Sequence, residues 1–266
     1  MRSVLATLAF ALLPMGAGAA PPSVFIEDLT WPEVRDAIAG GANTAIYYAG
    51  STEQNGPHLA TGKHTFVARH VAGLIAARLG NALVYPILPF APTGDAATRS
   101  EHMRFPGSVT VSETTYAAVA HDVAASARAA GFTFIMLMGD HGGGQQSLQT
   151  LAAELDRRWA GQGTRVAYVP EVYFGADRRV REYLSARGIT AGEHAGLPDT
   201  SELMVVDTGG RWLRRDKLEP GDGRNGVDGD PRQASAELGR QFIEFKVEGA
   251  VTQIRRFVAS AQPIRR

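Results

Sequence analysis

The chain has 266 residues, with 27 basic against 27 acidic side chains, seven histidines and no cysteine. That balance argues against the basic excess that a nucleic acid or an anionic membrane surface would demand, and it suits a small neutral or zwitterionic partner. Without cysteine there is no disulfide framework, no thiolate nucleophile, no Cys metal ligand and no lipoprotein anchor.

In chain order, the first segment reads as a secretory leader. Arg2 opens it, an apolar run covers residues 4–13, and Ala17-Gly18-Ala19 supplies the small residues of a cleavage site. Cleavage after Ala19 makes residues 1–19 a signal peptide and 20–266 a single exported domain, periplasmic or secreted. No later segment approaches the roughly 20 apolar residues that a membrane span needs, so no membrane anchor is expected. Thr30-Trp31-Pro32-Glu33 then carries the marks of a helix start, with Thr as cap, Pro in the first turn and Glu three residues on. Residues 44–49 read as a buried strand, 65–79 as a helix stopped by Gly80, and 82–88 as a second strand. A Pro/Gly-rich stretch at 89–94 and a polar loop at 100–107 precede a short alternating run at 108–111, and Ser112 caps a helix through 130. The apolar run 132–138 is a third strand, followed by a helix over 146–159 and a fourth strand over 165–169. Further on, 177–186 reads as helix, 188–201 as polar loop, 202–206 as strand, 219–232 as an irregular surface segment and 234–259 as a long helix. Strands alternating with helices imply an α/β fold with a mainly parallel central sheet covered on both faces.

Three loops concentrate groups that can bind a metal: the stretch from Glu53 through Asn55 and His58 to His64, the pair Asp140-His141, and Glu193-His194 through Asp199. In an open α/β sheet, loops beyond the carboxyl ends of strands are where ligands gather. Zinc, manganese or iron held by imidazole and carboxylate groups is a common hydrolytic arrangement, and such an ion acidifies water. His70 and His121 fall inside helical patterns and read as surface or satisfied residues. Gly142 to Gly144 lack the lysine and hydroxyl of a phosphate loop, so they read as room for close backbone approach. A serine nucleophile has no Gly-x-Ser-x-Gly elbow to sit on.

Gly50-Ser51-Thr52-Glu53-Gln54-Asn55-Gly56-Pro57-His58-Leu59 is similar to the Gly-Ser-x-Glu-Gln-His-Gly-Pro-His-Leu signature of the creatininase (creatinine amidohydrolase) family. His102 to Gly107 resembles that family's His-x-x-Phe-Pro-Gly element. Gly139 to Gly144 matches the place of its Asn-Gly-His-Gly-Gly-Asn loop, and Glu193 to Ser201 that of its His-Ala/Gly-Gly-x-x-Glu-Thr-Ser loop. The resemblance implies a three-layer α/β/α sandwich, a divalent-metal amidohydrolase site and a homo-oligomer, often a hexamer.

The departures define what is expected of the site. Asn55 stands where the family has a second histidine ligand, His64 where it has a metal-bridging aspartate, and Gly143 where the creatinine hydrolase has a glutamate. Glu53, His64 and His141 survive as two imidazoles and a carboxylate, which implies one metal ion per chain with Asp199 as fourth ligand or close partner. His194 corresponds to the family's proton shuttle. Glu101 and His102 face the substrate or pack the loop. Asn55 and His58 stand near the ligands or the substrate, and Asp140 orients His141 or His64, or caps the helix that follows. The expected reaction is metal-dependent cleavage of a non-peptide or cyclic amide C–N bond in a small molecule by activated water. The alternatives are a peptidase or deformylase relative, and a degenerate member that binds a metal or small molecule without turnover.

Overall fold

The computed structural model describes residues 21–261. The expected signal peptide therefore lies outside the described residues. Four strands, β1 (Thr44–Ala49), β2 (Ala82–Val84), β3 (Phe134–Gly139) and β4 (Arg165–Tyr168), form a sheet in the order β2-β1-β3-β4, with every neighbour parallel. Side chains alternate along a strand, so each strand feeds two cores. Ile46, Tyr48, Met136 and Met138 meet helices α2 (Lys63–Leu79) and α7 (Ala236–Ser260) on one face. Ala45, Tyr47, Ile135 and Leu137 meet α3 (Glu113–Ala130) and α4 (Gln145–Trp159) on the other, with α1 (Trp31–Ala39) against the same layer. This is the expected α/β/α sandwich, and β1 and β3 are apolar on both faces because both are covered.

Local signals act as expected at several ends. Glu33 accepts from the Thr30 backbone N–H at 2.7 Å, and Ser112 accepts from Thr115 N–H at 3.1 Å. Gly80 and Gly131 close α2 and α3 in the left-handed conformation that suits glycine. α5 (Phe174–Ser185) packs beside α7 through Val180 and Leu184 against Phe242 and Phe245.

Three expectations are corrected. Residues 202–206 are not a strand but the end of α6 (Leu197–Val206), which opens with Pro198 and Asp199 in its first turn. Val205 and Val206 pack toward α2 and α7 while Leu203 and Met204 pack toward Leu59 and Leu213. A helix covered on two sides loses the one-sided period that marks an amphipathic helix. The second strand ends at Val84 rather than 88, because Pro86 has no N–H to donate; pairing resumes only as a bridge between Ala49 and Leu88. The polar loop expected over 188–201 gives way to α6 at Leu197, and the alternating run 108–111 contributes a single bridge, Ala91 to Thr110.

Parallel pairing sends the carboxyl ends of β1 and β3 to the same edge of the sheet. The loop carrying Glu53 and the turn carrying Asp140 and His141 therefore emerge side by side. α2 begins at Lys63, two residues earlier than its apolar period suggests, so Lys63 and His64 lie in its first turn.

Candidate metal centre

Glu53 is fully buried and stands inside a ring of four histidines. His141 Nε2 is 2.8 Å from Glu53 Oε2, and His64 Nε2 is 3.1 Å from Oε1. His102 Nε2 and His194 Nδ1 each lie 3.8 Å from Oε1. Ser51 Oγ donates to Oε2 at 2.7 Å. The turn after β3, the loop carrying His102, the loop between α5 and α6 and the first turn of α2 thus converge on one carboxylate. Burial pushes Glu53 up, but His64 and His141 outweigh it and hold the group far below the ordinary carboxylate range.

Each ring is held from behind. His64 Nδ1 reaches Asp140 Oδ2 at 3.0 Å; Asp140 in turn accepts from Tyr48 at 3.2 Å and from Lys246 Nζ at 2.9 Å. Burial and Lys63 push His64 down, whereas Glu53 and Asp140 raise it to about 9, and the ring lies between the two carboxylates. His194 Nε2 donates to the Gln54 carbonyl at 2.8 Å, which assigns the lone pair to Nδ1, facing Glu53. Burial lowers His194 to about 4, and that ring is neutral at pH 7. His102 accepts at Nδ1 from the Gln54 side-chain amide at 3.1 Å, an orientation fixed because Gln54 Oε1 accepts from Gly56 N–H at 2.9 Å. His141 accepts at Nδ1 from Gly143 N–H at 3.0 Å.

A cavity of about 330 Å³ opens over this ring, and its lining includes Glu53, His64, His102, His141, His194 and Asp199. Glu101, Glu193 and Asp177 stand on the same lining, with Glu101 in a left-handed backbone conformation (φ 48°) that non-glycine residues rarely adopt. Several of the expected residues are held by partners of their own. Asn55 is buried and donates to the Glu53 carbonyl at 3.0 Å, shaping the loop from within it. His58 pairs with Thr200 Oγ1 at 3.0 Å, away from the cavity lining. Asp199 Oδ1 accepts from Lys63 Nζ at 2.8 Å and its Oδ2 from Ala195 N–H at 2.7 Å. Asp140 serves His64 rather than His141.

Among the described residues, Glu53, His102 and His141 place one ligand atom each within 4.8 Å of one another, so His102 joins the group where His64 was expected. One buried carboxylate with imidazoles is a donor set that suits a borderline divalent ion. Both His102 and His141 accept at Nδ1, so each ring turns an Nε2 proton toward Glu53, and those protons are what a cation would displace. Gly143 could not carry the family's glutamate here, because a Cβ on it would collide with the Pro92 carbonyl oxygen.

The sequence reading missed Lys63, Lys246 and Gln54. Lysine is a surface residue by habit. A signal existed for Lys246, which interrupts the buried run Phe242, Ile243, Phe245 and Val247.

Comparison with known proteins adds to this geometry. The profile of the family described as creatininase, creatinine amidohydrolase, matches residues 27–254. The chain belongs to the creatininase family. Creatininase-family members are metal-dependent amidohydrolases. Among curated relatives, a mycofactocin precursor peptide peptidase of Mycolicibacterium smegmatis is 26% identical over 218 residues, covering 78% of this chain and 83% of that protein. A creatinine amidohydrolase of Pseudomonas putida is 26% identical over 191 residues, covering 69% and 72%. A crystal structure of creatinine amidohydrolase superposes with a TM-score of 0.74 at 21% identity, covering 89% of this chain and 98% of the other. A structure titled as the Mn form of creatininase gives 0.74 at 24% identity, covering 88% and 98%. These creatininase structures share the sandwich fold described above.

Proposed function

We propose that this creatininase-family protein is a metal-dependent amidohydrolase using one divalent ion, held by Glu53, His102 and His141, to cleave a small non-peptide or cyclic amide. The buried carboxylate encircled by imidazoles is the observation that carries this reading. A divalent zinc, manganese or iron ion supplies Lewis acidity to water and to the amide carbonyl. One ion also suits the charge. Glu53, Asp140, Asp199 and Glu202 bring four carboxylates to the site, and Lys63 and Lys246 answer two of them. With His64 neutral, two negative charges remain, which a single dication balances.

The chain's own residues supply the rest of the chemistry. His64 and Ser51 fix the Glu53 carboxylate from the protein side. His194, neutral and oriented by the Gln54 carbonyl, presents Nδ1 to accept a proton from the attacking water and pass it to the leaving nitrogen. Tyr173, beside Gly142, and Glu101 stand on the cavity lining where a substrate's remaining groups would lie.

The test is a hydrolysis screen of small linear and cyclic amides with metal-loaded protein, chelated protein and a Glu53→Gln variant. Cleavage that requires both the metal and Glu53 supports the reading; metal-independent cleavage, or none in any sample, overturns it. A second reading, peptide cleavage, is favoured by the curated relatives named as peptide peptidases, so short peptides belong in the same screen. Two further expectations accompany this function. The leader predicts export of one domain, residues 20–266, checked by sequencing the N-terminus of protein recovered from the periplasm. The family resemblance predicts a homo-oligomer such as a hexamer, checked by light scattering.

A further inference from the structure

Lys63 is the least expected charge in the molecule. Its side chain is 1% exposed, and it is the first residue of α2, where the helix dipole disfavours a cation. Burying an ammonium is costly unless it is paired, and a residue needed only to fill space would not carry that cost. The Nζ atom sits 2.8 Å from Asp199 Oδ1 and 2.9 Å from His64 Nε2, while that same His64 nitrogen is 3.1 Å from Glu53 Oε1. A carboxylate, an imidazole and, one step further, the candidate ligand Glu53 thus gather around the ammonium. These are the donor types that would otherwise hold a metal ion.

Lys246 does the same on the other side. Its Nζ is 2.9 Å from Asp140 Oδ1 and 2.7 Å from Glu202 Oε2. Together the two lysines take up the carboxylates that lie behind the Glu53, His102 and His141 group, leaving charge for one dication and no more.

We propose that Lys63 is a built-in cation standing in the place of a second metal ion, and that it limits this centre to one divalent ion. The inference rests on the single-metal reading given under Proposed function. It goes further in naming the residue that enforces the limit and the groups, Asp199 and His64, that would become available without it. Lys63 is a positioning residue, since it acts on the donors and not on a substrate.

The experiment measures metal per chain, by equilibrium dialysis against Zn²⁺ or Mn²⁺ followed by elemental analysis, for wild type, Lys63→Met, Lys63→Gln and Lys63→Arg. Two neutral replacements are used so that a folding failure in one leaves the other to decide, and circular dichroism confirms which are folded. The expected result is one ion for wild type and Lys63→Arg, and two for the folded neutral variants. Adding Asp199→Asn to a neutral variant should return it to one. A folded neutral variant that still takes one ion overturns the role of Lys63 while leaving the single-metal reading intact. Two ions in wild type overturn both, and none in wild type removes the metal reading on which the inference stands. A purely structural ion pair would lower the melting temperature when broken but would leave the stoichiometry unchanged.

Discussion

Lys246, near the middle of the C-terminal helix, donates to Asp140 at 2.9 Å across the layer that separates α7 from the end of β3. Asp140 holds His64, so a residue late in the chain steadies a ring at the centre. Replacing Lys246 with Met leaves Asp140 and Glu202 buried without their counter-ion. Breaking such a pair from one side costs about 3–5 kcal/mol. Chemical denaturation should show a loss of that order; a change under 1 kcal/mol would mean the two carboxylates are relieved by water instead.

Glu53→Gln keeps the shape of the loop and removes the charge at the middle of the histidine ring. Metal affinity should fall by at least 100-fold, on the order of the loss caused by disturbing even the partners of metal ligands. Isothermal titration with Zn²⁺ reads this directly. Unchanged affinity would place the ion elsewhere.

His194→Ala should leave metal content as it is and lower turnover by roughly 10²–10⁴-fold, the range for a lost general acid or base. Metal analysis run beside steady-state kinetics separates the roles. If the metal disappears with the imidazole, His194 is a ligand and not the proton carrier.

At Gly143 the Pro92 carbonyl leaves no room for a side chain, and the N–H of this residue holds His141. Gly143→Ala should therefore cost about 1–3 kcal/mol, the usual penalty for overpacking, and should weaken metal binding through a displaced His141. Thermal melts with and without metal test both parts. Wild-type stability in the variant would show that the turn gives way freely.

Asp207 provides the acid dependence. Burial nudges its carboxyl up, but N–H groups of Trp212, Arg211 and Leu213 donate to it and lower it overall. A carboxylate lowered by folding adds stability above its unfolded value of about 3.9, and that contribution is lost as pH falls through the folded value. Asp207→Asn should thus cost about 1 kcal/mol at pH 7, allowing for partial solvent screening. The gap should close toward pH 2. Urea unfolding at both pH values checks the sign, and an equal gap at each would rule out the charge as its source.

The strand-end loops, the sandwich and the cluster around Glu53 were readable because each leaves a local mark: an apolar run, a turn, a crowd of ligand-type residues. What stayed hidden depends on contacts far apart in sequence. Glu202 to Val206 has the composition of a buried strand because the helix it ends is covered on two sides, by α2 and α7 and by Leu59 and Leu213. The partner of His64 was not legible, since nothing in its neighbourhood announced Asp140, 76 residues away, which meets its Nδ1. The pairing of Lys63 with Asp199 spans 136 residues, and no period or motif encodes it.

Gln54 gathers two of the four rings into one hand. Its carbonyl receives the proton of His194 and its side-chain amide meets His102, so any tilt of that single peptide carries both imidazoles with it. The two rings are thus set against one residue, one by its backbone and the other by its side chain. A side-chain substitution at Gln54 would release His102 while leaving the carbonyl that holds His194, so the two rings would lose their common reference.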